Sequence, residues 1–155
     1  HDLIPNAEQL SGLDAIEEVV FIGYPNGIFD SKNLMPVVRR GTTATHIQID
    51  YEGKPLFLID ASVFPGSSGS PVLIANTGGY SHKGGFVVGN RVLFLGIISS
   101  VAIREEHGQI AFISSPVSQV PIVRTQQMID LGIVYKSSTI LETVKMLVDK
   151  WSKSQ

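Results

Sequence analysis

The sequence predicts an all-β domain that ends in one α-helix. Fifteen glycines and eight prolines are scattered among short Val-, Ile- and Phe-rich runs, the pattern of brief strands joined by turns. Only near the C-terminus does the apolar period change from strand-like to helical. The length of 155 residues, with 43% hydrophobic and 17% charged, suits one modest domain with an ordinary core and argues against disorder.

The elements follow in order. Residues 1–18 are polar and irregular, with a turn of helix expected over 12–18, and they read as a cut or interdomain segment rather than a domain opening. Val19-Val20-Phe21-Ile22-Gly23-Tyr24 is a continuous apolar run closed by Pro25-Asn26-Gly27, a buried strand ended by a turn. Further strands are expected over 35–40, 42–50, 55–60, 70–74, 92–99 and 110–113, and such serial short strands read as a sandwich or barrel. Within 45–50 the alternation of Ile47 and Ile49 with His46, Gln48 and Asp50 places the polar three on one solvent-facing side. The glycine-rich stretch 75–90 reads as an exposed loop carrying a solvated His82, and His107 falls in an apparent hairpin turn. At the end, Thr139-Ile140-Leu141-Glu142 has the form of a capping box. Ile140, Val144, Leu147, Val148 and Trp151 then form one stripe of an amphipathic helix that packs on the barrel or on a neighbour.

Composition excludes several functions. Twelve basic against fourteen acidic residues leave no surplus to hold a phosphate backbone, so nucleic acid is not an expected partner. No apolar run approaches the ~20 residues of a membrane span, and the polar opening lacks the charged-then-apolar pattern of a signal peptide, which predicts a soluble chain. The absence of cysteine removes disulfides, a thiolate nucleophile and cysteine zinc sites, and leaves the compartment open. The four histidines are neither at helical i, i+4 spacing nor clustered with carboxylates, so neither a metal nor a cofactor is expected.

The densest unusual stretch is 60–72, where Gly66-Ser67-Ser68-Gly69-Ser70-Pro71 sits between two apolar runs. An acyl-transfer nucleophile needs a hydroxyl held on a turn, backbone N–H groups where an oxyanion will form, and small neighbours that admit a substrate backbone. A glycine–serine hairpin turn without chemistry fits the same residues. The α/β-hydrolase elbow does not, because its last glycine is replaced by Ser70 and the continuation Pro71-Val72-Leu73-Ile74 is a strand. A phosphate loop also fails, for want of a following Lys-Ser/Thr and a helix.

This hexapeptide resembles the G-[DN]-S-G-G-[PA] nucleophile turn of trypsin-like (chymotrypsin-fold) serine peptidases, including their HtrA-like branch. The flanks agree in order: 19–27 is similar to the strand and turn opening the second barrel, Leu95-Gly96-Ile97-Ile98-Ser99-Ser100 to the strand lining the cleft, and Ile110-Ala111-Phe112-Ile113 before Pro116 to the last core strand. The resemblance spans about 19–120 and implies a six-stranded antiparallel Greek-key barrel, the second half of a chymotrypsin-like double barrel, with 121–155 as a helical extension. It implies Ser68 as catalytic nucleophile and the N–H groups of Gly66 and Ser68 as oxyanion hole. Gly69 would relieve crowding, while Ser62, Ser99, Ser100 and Val101 would shape the pocket for the residue before the scissile bond. An uncharged Ser62 implies a small or apolar residue there, and the implied partner is a polypeptide substrate.

Two positions depart from the pattern. Ser67 stands where the family has Asp or Asn, which argues against activation by a new N-terminus, and Ser70 replaces a glycine. The family's base His and orienting Asp belong to the first barrel, and none of His1, His46, His82 or His107 matches the catalytic position. The expectation is therefore the C-terminal half of a serine peptidase that requires an upstream first barrel of the same protein; a peptide-binding module without catalysis is the alternative.

Overall fold

The computed structural model describes residues 3–109 and 122–153. A short helix α1 (Ala7–Ser11) comes first, capped reciprocally by Asn6 and Gln9: the Asn6 side chain accepts from the Gln9 N–H, and the Gln9 side chain accepts from the Asn6 N–H. The helical turn expected over 12–18 is thus displaced to an Asn-x-x-Gln box five residues earlier.

Strands β1 (Glu18–Gly23), β2 (Val37–Thr43), β3 (Leu56–Asp60), β4 (Pro71–Asn76), β7 (Arg91–Gln109) and β8 (Ile122–Lys136) close an antiparallel barrel in the order β1-β2-β3-β8-β7-β4. With β4 beside β1, the first four strands stand in the order 4-1-2-3, a Greek key. A separate hairpin pairs β5 (Tyr80–His82) with β6 (Gly85–Val87), and α2 (Ser138–Ser152) ends the described chain.

The core follows from strand alternation. Val19 and Phe21 on β1, Val72 and Ile74 on β4, Leu93 and Leu95 on β7 and Val134 on β8 all point inward and are buried. β3 is buried on both faces over Leu56, Phe57, Leu58 and Ile59. Gly96 and Gly132 let neighbouring chain approach, since a Cβ at Gly132 would stand 2.7 Å from Val63 Cγ2 and one at Gly96 would overlap the Tyr135 carbonyl.

Several expectations are corrected. The strand expected over 42–50 ends at Thr43, because the Ile49 N–H bonds back to the His46 carbonyl (3.1 Å) and turns the chain. Ile47 is buried while Ile49 is exposed, so the alternation is not realised. Residues 75–90 are not a simple loop, since β4 continues to Asn76 and the β5–β6 hairpin follows. His107 lies within β7 rather than in a turn. The barrel strand β8 occupies Ile122–Lys136, inside the segment expected as helical extension, and α2 begins only at Ser138. The strand expected at 110–113, with Pro116, lies outside the described residues.

The capping box at Thr139 does not form. Ser137 takes the N-cap position without a side-chain bond, and the Thr139 hydroxyl donates to the Lys136 carbonyl at 2.7 Å. No residue of α2 is buried, and its stripe of Val144, Leu147, Val148 and Trp151 is exposed. Among the described residues no helix is long and apolar enough to cross a membrane.

Candidate nucleophile turn

The link between β3 and β4 makes two successive reversals. Phe64-Pro65-Gly66-Ser67 closes with the Ser67 N–H on the Phe64 carbonyl (3.0 Å), and Gly66 has φ +88°. Ser67-Ser68-Gly69-Ser70 closes with the Ser70 N–H on the Ser67 carbonyl (3.0 Å), and Gly69 also has φ +88°. Each has the form of a type II turn, in which the third residue needs positive φ and glycine supplies it. Pro65 fits the second position of the first turn for the complementary reason, its fixed negative φ.

Both flanks fasten this double turn to the barrel. On one side the Asn26 N–H donates to the Pro65 carbonyl (2.7 Å), and a Cβ at Gly66 would stand 2.9 Å from the Tyr24 carbonyl oxygen. On the other, the Gly69 N–H donates to the Ile98 carbonyl (2.8 Å) and the Ile98 N–H to the Ser70 carbonyl (2.9 Å), which extends the β4–β7 ladder to the foot of the turn. Ser68 is exposed at the apex. The N–H groups of Ser67, Gly69 and Ser70 are thereby spent, whereas those of Gly66 and Ser68 donate to no acceptor among the described residues.

The Ser68 hydroxyl donates to the Ser99 carbonyl at 2.8 Å. Ser99 is the residue that a β-bulge leaves without a partner, since Ile98 pairs with Val134 and Ser100 with Ile133. Of the four residues expected to shape the pocket, Ser99 contacts Ser68, while the next two on β7 are an exposed Ser100 and a half-buried Val101 that packs against the core. Past Ile98, β7 has no strand on its β4 side among the described residues.

Ser62 stands on the near side of the same turn and is exposed. Its carbonyl accepts from Arg39 Nη2, and the Arg39 guanidinium lies 5.1 Å from the Phe21 ring centroid and 4.9 Å from that of Phe64. Burial pushes the Arg39 pKa down, while the Asp130 carboxylate acts in the opposite direction. Sequence reading missed Arg39 altogether, because nothing in Val38-Arg39-Arg40 distinguishes an arginine seated on aromatic rings from one in solvent.

The departures from the family pattern have distinct structural settings. Ser70 is buried with its hydroxyl directly over Gly23, where a Cβ would overlap it, so the side chain added at 70 occupies space left by a glycine on β1. Ser67 is buried as well, and its hydroxyl has no partner among the described residues. Gly69 supplies the positive φ of its turn, and a Cβ there would meet nothing within 4 Å beyond its chain neighbours.

No described imidazole hydrogen-bonds to Ser68. His46 Nδ1 accepts from the Gln48 N–H (3.3 Å), and His82 is half-buried over Gly12 rather than fully solvated. His1 lies outside the described residues, and of His107 only the backbone on β7 is described. Among the described residues no group of His, Asp and Glu is arranged to hold a metal ion. A cleft of about 560 Å³ lies elsewhere, between the 11–18 segment and the β5–β6 hairpin. Within it Arg91 pairs with Glu17 at 2.8 Å, each side chain only 10% exposed, and stacks 4.3 Å from the Tyr80 ring centroid.

No protein-family model matches the chain, and no curated protein or solved structure is significantly similar to it.

Proposed function

We propose that this chain is the C-terminal barrel of a trypsin-like, HtrA-like serine endopeptidase that hydrolyses peptide bonds through an acyl-enzyme on Ser68. The observation that carries the reading is the double turn itself: an exposed hydroxyl at its apex, with unspent N–H groups at Gly66 and Ser68 while the intervening and following amides are bonded. An oxyanion requires donors held ready where negative charge develops, and these two unspent amides flanking the apex support that reading. The Ser68 hydroxyl oxygen attacks the scissile carbonyl carbon, its proton passes to an imidazole, and the same imidazole returns a proton to the leaving amine. Water then attacks the ester and releases the acid. The imidazole and its orienting carboxylate come from an upstream barrel of the same protein. Base assistance contributes about 10²–10⁴-fold, so the 155-residue chain by itself is expected to be nearly inactive. The substrate residue before the scissile bond lies against Ser62 and 99–101, and the open side of β7 past Ile98 takes its extended backbone by strand addition.

One observation favours a second reading, a peptide-binding module without chemistry: the Ser68 hydroxyl is engaged by the Ser99 carbonyl rather than by a base. Fluorophosphonate labelling separates the two. The chain alone and the protein carrying the coding sequence upstream of His1 are treated in parallel, and adducts are located by peptide mass spectrometry. Rapid labelling at Ser68 confined to the longer protein, and abolished by Ser68→Ala, is the expected result. A longer protein that folds but carries no adduct at Ser68 overturns the peptidase reading.

A further inference from the structure

Arg39 brings a positive charge to the candidate site, and its hydrogen bonding is incomplete. It pairs with Phe21 across β1 and β2, and the two side chains of such a pair project to one face of the sheet, here the core face that buries Phe21. The guanidinium is held by the Phe21 and Phe64 rings and by the Ser62 carbonyl, to which Nη2 donates. Nη1 is withdrawn from solvent and donates to no acceptor among the described residues. Arg91 pairs with Glu17 and Lys136 with Asp50, whereas no carboxylate stands within ion-pair distance of Arg39 among the described residues, and Asp130 acts on it from farther off. A withdrawn donor without an acceptor is costly in the free protein, and it is the kind of group that a bound ligand completes. The Arg39 side chain as a whole is only half-buried, so the cation is not closed off.

The surroundings of the guanidinium say what kind of ligand it takes. The 61–64 arm is tied to β8 by the Ala61 N–H on the Asp130 carbonyl (2.9 Å), and a Cβ at Gly132 would stand 2.7 Å from Val63 Cγ2. Gly132 is also the partner of Val101 on β7. The arm that carries Ser62 and the β7 segment 99–101 therefore flank one stretch of β8. Ser68 bonds to the β7 segment through the Ser99 carbonyl, and the guanidinium lies against the Ser62 arm. A substrate side chain that enters between the two from a carbonyl at Ser68 advances toward the Ser62 backbone, and the charge beside that backbone is positive. We propose that Arg39 selects an acidic residue before the scissile bond, its free guanidinium N–H groups receiving the side-chain carboxylate. A carboxylate matches a guanidinium in charge and in planar geometry, whereas the uncharged Ser62 taken alone implies a small or apolar residue. The inference rests on the peptidase reading and adds to it the substrate class.

The test is a titration of the ¹⁵N-labelled chain, followed by amide shifts at neutral pH, with three peptides acetyl-Ala-Ala-Pro-Xaa-amide in which Xaa is Glu, Gln or Lys. Blocked ends leave the Xaa side chain as the only charge. Shifts at 62–64, 66–69 and 99–101, with the Glu peptide bound about tenfold or more tightly than the Gln peptide and the Lys peptide bound weakest, are expected from one charge-assisted pair. That preference should vanish in Arg39→Gln. It should vanish also in Ser62→Asp, an exposed position where the added carboxylate engages the guanidinium without removing it, so a misfolded first variant leaves the second to decide. Equal affinities for Glu and Gln, with shifts at 66–69 and 99–101, overturn the acid selection and leave the peptidase reading standing. A Glu preference that survives both substitutions overturns the assignment to Arg39, and no shift with any of the three peptides overturns both the selection and the peptidase reading.

Discussion

Alanine at Gly66 and at Gly69 makes a controlled comparison, because the two glycines share φ +88° and differ only in what a methyl group would meet. At Gly69 there is nothing within 4 Å, so the cost is the positive φ alone, about 1–2 kcal/mol. The unfolded chain loses freedom in the same substitution, which offsets about 0.4–1 kcal/mol and leaves roughly 1 kcal/mol. At Gly66 the methyl stands 2.9 Å from the Tyr24 carbonyl oxygen and 3.1 Å from the Asn26 nitrogen, both backbone atoms that cannot swing aside. Moving them strains the Asn26–Pro65 hydrogen bond, and overpacking of this kind adds about 1–3 kcal/mol. The expected totals are about 1 kcal/mol for Gly69→Ala and about 3 kcal/mol for Gly66→Ala, read by urea denaturation. For a chain of this length that corresponds to melting shifts of roughly 2–4 °C and 6–12 °C. Equal losses in the two variants, or a Gly66→Ala loss below about 1 kcal/mol, would refute the claim that the turn is seated against the β1 terminus.

Three further outcomes follow from the same geometry. Gly23→Ala is expected to cost about 1–3 kcal/mol by collision with the Ser70 hydroxyl, and Ser70→Gly should recover most of it; additive losses in a double-mutant cycle would contradict the contact. Arg91→Met strands the Glu17 carboxylate in a largely buried site and is expected to lose about 3–5 kcal/mol, while Arg91→Met/Glu17→Leu should regain much of it in the same denaturation assay. The side-chain amide of Asn33, then its backbone N–H, hold the Asp30 carboxyl below its ordinary value. Because the depressed group favours the formed turn when ionised, the 30–35 turn should be fully ordered above the usual carboxylate range and loosen as pH falls through the folded-state pKa. Amide exchange at Lys32 and Asn33 measures this, and exchange that slows on acidification, beyond its intrinsic pH dependence, would reverse the sign.

The barrel strands with continuous or alternating apolar runs were legible in the sequence: Val19 to Ile22, Leu56 to Ile59 and Val92 to Ile98 all carry their strand character locally. Thr45 to Asp50 alternates equally well and is not a strand, because the His46 turn wins over a pattern whose second apolar residue, Ile49, finds no core to face. β8 was missed although Ile133-Val134-Tyr135 has strong strand propensity, since its pairing partners lie far away on β3 and β7. At the site, the glycine and serine spacing predicted a tight turn, and a tight turn is present. The contribution of Arg39 was invisible, because a cation seated between Phe21 and Phe64 and bonded to a carbonyl is a tertiary fact with no local signature. So was the complementarity of Ser70 and Gly23, two residues that neither pattern nor propensity connects.

β7 is one uninterrupted strand from Arg91 to Gln109, yet its neighbours change along the way. From Arg91 to Ile97 it pairs with β4, from Gly96 it also pairs with β8, and beyond Ile98 β8 alone accompanies it as a two-stranded ribbon. The register breaks fall at Ile98/Ser100 and Val101/Ile103, where Asp130 on the opposite strand takes a left-handed backbone. The unpaired Ser99 stands at that change of neighbours, so the carbonyl that holds the Ser68 hydroxyl belongs to a residue that no ladder partner fixes.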